Sequence, residues 1–333
     1  MKVFRGLPNA QAGAPCALTI GNFDGVHRGH QALLAHVRKA ADTLGVEAAV
    51  MTFEPHPREF FAQLSKDPSR APTRIANLRD KLQSLAQAGI DRVIVEHFNH
   101  PFASLAAHDF TRKILVEGLH VRWLMVGEDF CYGARRAGNV QSLAQAGKEY
   151  GFTFATMDTV VLDNMRISSS AVREALAQAD FNLAQRLLGH PYSMSGHVIH
   201  GQKLGRSLGF PTLNLRVAHQ RPALLSGIFV VQVHGLGLQP LPAVASLGFR
   251  PTVDNTGRVL LEVHVFDFDE SCYGRLVRIE FLHKLRDEQK YNDLATLTAA
   301  IQQDAHQARS WFAARNAHLA KPSVKPTAAT DRI

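Results

Sequence analysis

Near residue 185 the spacing of apolar residues changes, and that change constrains the fold more than any single motif. Before it, strand and helix patterns alternate. Ala17 to Ile20 is a short apolar strand, His30 to Leu44 carries Leu33, Leu34 and Val37 on one helical face, and Val46 to Phe53 is a second strand. Asn77 to Ala88 predicts a helix, Arg92 to Glu96 a strand, Asp109 to Gly118 a helix and Trp123 to Val126 a buried strand. Such alternation implies a parallel sheet with helices on both faces. Ala171 to Leu188 predicts one more helix, stopped by Gly189 with Pro191 just beyond. From Met194 onward, short β-rich runs take over, including Gly227 to Val233, Leu260 to Phe268 and Leu276 to Leu282, with Gly201, Gly209, Gly235, Gly257 and Gly274 among the glycines between them. That pattern predicts a compact antiparallel barrel or sandwich. Tyr291 to Arg315 predicts a closing amphipathic helix, and the polar stretch from Lys321 to Ile333 a mobile tail. A chain of 333 residues suits two domains, and the expected division is 1–185, 186–316 and a tail over 317–333.

Composition narrows the class. With 46% apolar and 20% charged residues, each half can bury a core of its own. No apolar run reaches the roughly 18 to 20 residues of a membrane span, and Met1 to Gly13 lacks the apolar segment of a secretory signal. Cys16, Cys131 and Cys272 are odd in number and far apart, with neither metal-ligand spacing nor a disulfide framework, so a cytoplasmic setting is expected. The net charge of +8 calls for anionic partners, either nucleic acid or nucleotide phosphates. The Lys and Arg residues form no dense block, which argues against nucleic acid.

The first chemical constellation is Gly21-Asn22-Phe23-Asp24-Gly25-Val26-His27-Arg28-Gly29-His30, which follows a strand and opens a helix. Gly21 and Gly25 allow a tight turn and close approach to a ligand. A helix N-terminus offers free N–H groups and the positive end of a dipole to phosphate. His27 and His30, three residues apart around Gly29, can both meet one phosphate group and stabilise charge growing on phosphorus. The bland alternative is a strand–helix turn with two surface histidines. Three further segments stand at strand ends or a helix start: Thr52 to Pro57 with His56 between two prolines, Val126 to Gly133 with Asp129, and Arg166 to Arg173 with Ser168, Ser169 and Ser170. The serines are ordinary helix caps. Arg166 and Arg173 flanking such a cap make a polyphosphate site.

The second half carries Gly196 to Gly201 and then Lys203-Leu204-Gly205-Arg206-Ser207-Leu208-Gly209-Phe210-Pro211-Thr212-Leu213-Asn214, without a P-loop. Its glycines and basic residues can cradle phosphates through backbone N–H groups, or form a plain glycine-rich β-loop. Thr212 and Asn214, two apart on an extended segment, point to one face and offer hard oxygens to Mg²⁺. Leu261 to Phe268 alternates strictly, so Glu262 and His264 share the face opposite Val263 and Val265.

Taken together, these segments resemble the prokaryotic bifunctional riboflavin kinase/FAD synthetase family. His27-Arg28-Gly29-His30 is similar to the H-x-G-H signature of nucleotidyltransferases, and Gly205 to Asn214 to the G-R-x-L-G-F-P-T-x-N signature of riboflavin kinases. Gly248 to Thr252, Cys272 to Gly274 and Leu285 to Glu288 also follow the family pattern, whose reach is about residues 15 to 312. Tyr132 departs from a frequent Phe and Leu213 from a frequent Ala.

The resemblance implies a Rossmann-like α/β nucleotidyltransferase domain followed by a small antiparallel β-barrel with a terminal helix. It implies ATP-dependent phosphorylation of riboflavin to FMN, then adenylyl transfer from ATP to FMN giving FAD and pyrophosphate, with Mg²⁺ accompanying ATP. It assigns Gly21, Phe23, Asp24, Gly25, Asp129, Arg166, Ser169, Arg173, Lys203, Gly205 and Arg206 to ATP, and His27 and His30 to catalysis of adenylyl transfer. Glu262 is implied as the kinase base, ahead of Glu280 or Glu288. His56, Phe249 and Arg286 are implied near flavin, although His56 facing solvent, Phe249 in the core and Arg286 in a surface ion pair remain open. A second reading keeps the adenylyltransferase and makes the β-domain a non-catalytic flavin binder.

Overall fold

The computed structural model describes residues 1–7, 13–201, 208–216, 224–249 and 259–319. By contacts the chain divides into two units, Met1–Met194 and Ser195–Ile333.

The first unit is a six-stranded parallel sheet in the order β1-β4-β3-β2-β5-β6, formed by β1 (Lys2–Arg5), β2 (Cys16–Ile20), β3 (Glu47–Glu54), β4 (Arg92–His97), β5 (Val121–Gly127) and β6 (Thr153–Met157). Strand β2 is central and buried throughout. Its alternate residues serve two cores, as the pleat requires. Cys16, Leu18 and Ile20 join Phe110, Leu115, Leu119 and Leu143 on one face. Ala17 joins Leu34, Val37 and Ala41 of α1 (Arg28–Leu44) and Leu85 of α3 (Leu78–Gln87) on the other. A sheet covered on both faces explains why its strands read as unbroken apolar runs.

Between β3 and α3 lies α2 (Pro57–Leu64). The short α4 (His100–Ala103) and α5 (Ala107–Asp109) lead into a π-helical segment, Phe110–Gly118, over most of the predicted helix. The helix α6 (Val140–Tyr150) precedes β6, and a small antiparallel ribbon, β7 (Val161–Leu162) with β8 (Met165–Arg166), follows it. The single helix expected over Ala171 to Leu188 is two, α7 (Ser169–Ala177) and α8 (Phe181–Leu188). Ala179 takes a left-handed φ of 54°, and Asp180 starts the new helix by accepting from the Leu183 amide at 2.9 Å.

The second unit is a closed barrel in the order β10-β13-β12-β11-β14-β9, which excludes the sandwich. Its strands are β9 (Ser193–Ile199), β10 (Leu213–Arg216), β11 (Gly227–His234), β12 (Leu241–Phe249), β13 (Val259–Val265) and β14 (Leu276–Arg286). Every described strand pairing in it is antiparallel. The predicted strand over Leu260 to Phe268 stops at Val265, where Asp267 turns with a φ of 56°. The closing helix α9 (Leu294–Leu319) is longer than expected and includes residues 317–319, assigned from sequence to the tail; residues 320–333 lie outside the described ones. Ala305, Ala308 and Phe312 of α9 pack on Ile228, Val230 and Val244, closing a core against the barrel wall. Arg286 ties the helix down, donating from Nε and Nη2 to Asp304 at 2.8 and 2.6 Å.

Candidate functional site

In an open parallel sheet, ligands bind beyond the strand C-termini where the strand order reverses. Here that point lies between β2, from which the chain steps to β3 and β4, and β5, which continues to β6. A cleft of about 380 Å³ opens there, and Gly21, Phe23, His27, His30, Asp129, Arg166 and Ser169 all line it. Gly127, Met157, Asp158 and Thr159 are also among its lining residues. Three of the four sequence motifs of this half, spread over about 150 residues of chain, therefore meet at one place.

The two histidine rings stack with centroids 3.7 Å apart and planes 15° from parallel. His27 is also the N-cap of α1, its Nδ1 accepting from the His30 amide at 3.3 Å. That bond puts the ring proton on Nε2, so His27 offers one N–H donor. Burial pulls His27 down to about 4, against the opposing field of Asp24. Burial also holds His30 well below the ordinary histidine value, helped by His27 and Lys81. Both rings are neutral at neutral pH, and His30 Nδ1 is buried without a hydrogen-bond partner. Phe23 is fully buried, its ring 5.0 Å from that of His30.

Asp24, Gly25 and Arg173 do not line the cleft. Asp24 accepts from the amides of Ile75 (3.0 and 3.1 Å) and Ala76 (3.1 Å) and from Arg173 Nη2 at 2.5 Å. Arg173 donates its Nε to the Thr73 carbonyl at 2.7 Å. Gly25 has a φ of 77°, and a Cβ there would stand 2.7 Å from Ile75 Cγ2, so both its conformation and its lack of side chain are required. These three residues join the turn after β2 to the segment before α3.

At the cleft mouth, Arg166 Nη2 meets Asp129 Oδ2 at 3.0 Å, with side chains 61% and 76% exposed. Such a pair is worth little and opens cheaply. Ser168 caps α7, accepting from the Ala171 amide at 3.2 Å, while Ser169 donates to the Asp24 carbonyl at 3.2 Å. His56 neither lines the cleft nor faces solvent. It caps α2 within a capping box with Glu59, and burial lowers it to about 4.

The barrel presents a second constellation. Asn214 on β10 lies directly opposite Glu262 on β13, and opposed residues of antiparallel strands share a face. Leu261, Val263 and Val265 are buried, leaving Glu262 and His264 on the other face as the alternation predicted. The Asn214 side chain is buried. Its Nδ2 donates to the Thr212 carbonyl at 3.4 Å, while its Oδ1 has no partner. A Cβ on Gly201 would come within 2.3 Å of Asn214 Nδ2, so glycine is needed where β9 leaves this site. Glu280 is engaged by His234 at 3.1 Å, and Glu288 lies across Gly248. Arg286 is spent on Asp304, with Tyr291 beneath its guanidinium at 6.0 Å. Lys203, Gly205 and Arg206 lie outside the described residues, as does the side chain of Phe249, which ends β12. Among the described residues, no group of three His, Cys, Asp or Glu is placed to hold a metal.

Sequence reasoning passed over two residues that lie near these constellations. Gly201 was noted only as punctuation. Lys81 carried a readable signal, because it falls on the stripe Leu78, Leu82, Leu85 that faces the core, where a lysine is out of place.

Comparison with known proteins places both halves. Residues 9–171 match the family model described as FAD synthetase, and residues 188–312 that of riboflavin kinase. The bifunctional riboflavin kinase/FMN adenylyltransferase of Haemophilus influenzae is 45% identical over 94% of this chain and 99% of its own length. That of Pseudomonas fluorescens is 46% identical over 96% of this chain and all of its own. A crystal structure described as a macrolide-efflux protein from Streptococcus pneumoniae superimposes with a TM-score of 0.74 at 26% identity, covering 93% of this chain and all of that one. The chain belongs to the bifunctional riboflavin kinase/FMN adenylyltransferase family.

Proposed function

We propose that residues 186–316 make FMN from riboflavin and ATP, and that residues 1–185 then join FMN to the adenylyl group of ATP. In the barrel, Glu262 accepts the proton of the riboflavin primary hydroxyl as that oxygen attacks the γ-phosphorus and ADP departs. A neutral alcohol is a poor nucleophile, so a positioned carboxylate is what this step requires. Thr212 and Asn214 fit a hard cation, because a buried amide oxygen with no partner costs about 1 to 3 kcal/mol until something coordinates it. Mg²⁺ held by these residues would supply neutralisation of the phosphate charge.

In the cleft of the first unit, a phosphate oxygen of FMN attacks the α-phosphorus of ATP and pyrophosphate leaves. The nucleophile is already anionic, so no base is needed. Catalysis is alignment and charge stabilisation by His27 and His30 as neutral N–H donors, with Arg166 exchanging Asp129 for phosphate oxygens. Ser169, at the start of α7, stands on the same wall. Asp24 and Arg173 serve this site as its brace. ATP contacts by Lys203, Gly205 and Arg206 and flavin contacts by His56, Phe249 and Arg286 rest on the family resemblance alone. Free Cys16, Cys131 and Cys272 suit a reducing cytoplasm.

The observation that carries this reading is the pairing of Glu262 with Asn214 in one unit and of His27 with His30 in the other. Glu262→Gln removes the proton acceptor and keeps the shape. FMN formation from riboflavin should fall about 100- to 10,000-fold, while FAD formation from supplied FMN stays within about threefold. His30→Ala should do the reverse. Equal loss of both activities in either variant rejects the division of labour.

A further inference from the structure

One buried charge near the first cleft has no part in the chemistry above. Lys81, on α3, is 2% exposed. Its Nζ donates to Thr52 Oγ1 at 3.4 Å, the long end of a hydrogen bond. Thr52 is fully buried on β3 and donates in turn to the Asn22 carbonyl at 3.2 Å. Asn22 belongs to the turn between Gly21 and Gly25 that leads into His27. The Asn22 Oδ1 and His30 Nδ1 atoms are buried nearby on the same turn and helix without partners. A relay thus runs from a core ammonium, through one hydroxyl, to the backbone of the turn that leads into His27.

We propose that Lys81 is a positioning residue for adenylyl transfer, its ammonium acting through Thr52 on Asn22 and so fixing the turn that carries the stacked histidines. The inference rests on the adenylyl-transfer reading of that cleft. The surroundings support a residue that is charged yet weakly held. Asp24 in the turn, Glu54 at the end of β3 and Glu59 on α2 favour its charge. Burial and Arg74, in the segment before α3, oppose it and bring Lys81 down to about 8. His30 on α1 and His56 at the start of α2 both feel the ammonium, which disfavours a proton on either ring. Arg74 itself is saturated by Glu54 and Glu59. Lys81 is therefore the cation in this group whose proton can leave near working pH.

The test uses the full-length protein, with riboflavin phosphorylation by the same chain as internal control. Lys81→Met should lower kcat for FAD formation from FMN about 100-fold, the scale of a misplaced catalytic group, with kinase activity within about twofold. In the wild type, kcat/KM for adenylylation should decline as pH rises through about 8, because the free enzyme loses the ammonium. Lys81→Arg should recover most of the rate and carry that decline to higher pH, which mere filling of space does not do. Thr52→Val keeps volume and charge and cuts only the relay. It should lower kcat roughly tenfold with KM for ATP unchanged. Lys81→Met within threefold of wild type, an unmoved alkaline limb in Lys81→Arg, or an unaffected Thr52→Val overturns the proposal. If Lys81→Met lowers both activities together, Thr52→Val alone decides. A wild type that makes no FAD from FMN defeats the functional reading instead, and is recognised before any variant is made.

Discussion

The two sites differ in how their polar groups stand before any ligand arrives. Around the cleft of the parallel sheet, charges are already matched: Asp24 with Arg173 and Arg74 with Glu54 and Glu59 in the interior, Arg166 with Asp129 at the mouth. At the barrel site the Asn214 oxygen is buried and unmatched. A reaction between an anionic phosphate and ATP asks for a stiff frame and donors of low charge. A reaction that activates an alcohol asks for a carboxylate and an open oxygen. The difference teaches that pre-paired charge marks positioning, whereas an orphaned polar atom occurs at both sites, at Asn22 Oδ1 and His30 Nδ1 in the first and at Asn214 Oδ1 in the second.

Three experiments press on that contrast. The largest effect is expected from acid. Between the ordinary histidine value of 6.5 and the buried value near 4, the unfolded chain holds protons that His27 and His56 refuse in the fold. Stability of the first unit is thus intact above pH 6.5 and is lost as pH falls toward 4, by about 3 kcal/mol for each ring. No histidine is buried among the described residues of the barrel. Calorimetry at pH 7, 5 and 4 should show a first-unit transition that falls while a barrel transition lags. One transition moving as a whole breaks the comparison.

Next come the two buried carboxylates that hold arginines. Asp24→Asn strands Arg173 and should cost the first unit about 3 to 5 kcal/mol, leaving kinase activity. Asp304→Asn strands Arg286 and should cost the barrel a similar amount, leaving adenylylation. Urea unfolding followed by each activity separates them, and crossed losses would dissolve the distinction between units. The smallest structural effect belongs to Arg166→Gln. Its exposed ion pair should contribute under about 0.5 kcal/mol to stability. KM for ATP in adenylylation should nonetheless rise roughly tenfold, as befits a lost charged hydrogen bond. An unchanged KM removes Arg166 from the site.

Legibility in the sequence followed the range of the interactions involved. His27 and His30 were readable because strand, glycine turn and helix start are adjacent in the chain. The shared face of Glu262 and His264 was readable because β13 alternates without a break, while the role of Glu262 came from the family resemblance. The use of Asp24 was not, since its partners Ile75, Ala76 and Arg173 are distant in sequence and nothing local marks them. Asp24 and Arg173 hold each other, a contact between residues far apart in the chain that nothing local announces. Arg286 hid Asp304 for the same reason. The fold class followed from periodicity, but β1 and the ribbon β7–β8 are too short to carry a pattern. The break between α7 and α8 escaped because Ala179 is an unusual choice for a left-handed φ.

The ring of His27 begins a helix as well as lining the cleft. Its choice is therefore set twice over. A redesign that exchanges this side chain for a better phosphate donor, such as lysine or arginine, removes the acceptor on which the His30 amide rests, and the first coil of α1 frays with the ring that rides on it. Asparagine preserves the acceptor and is the conservative way to ask what the imidazole alone contributes.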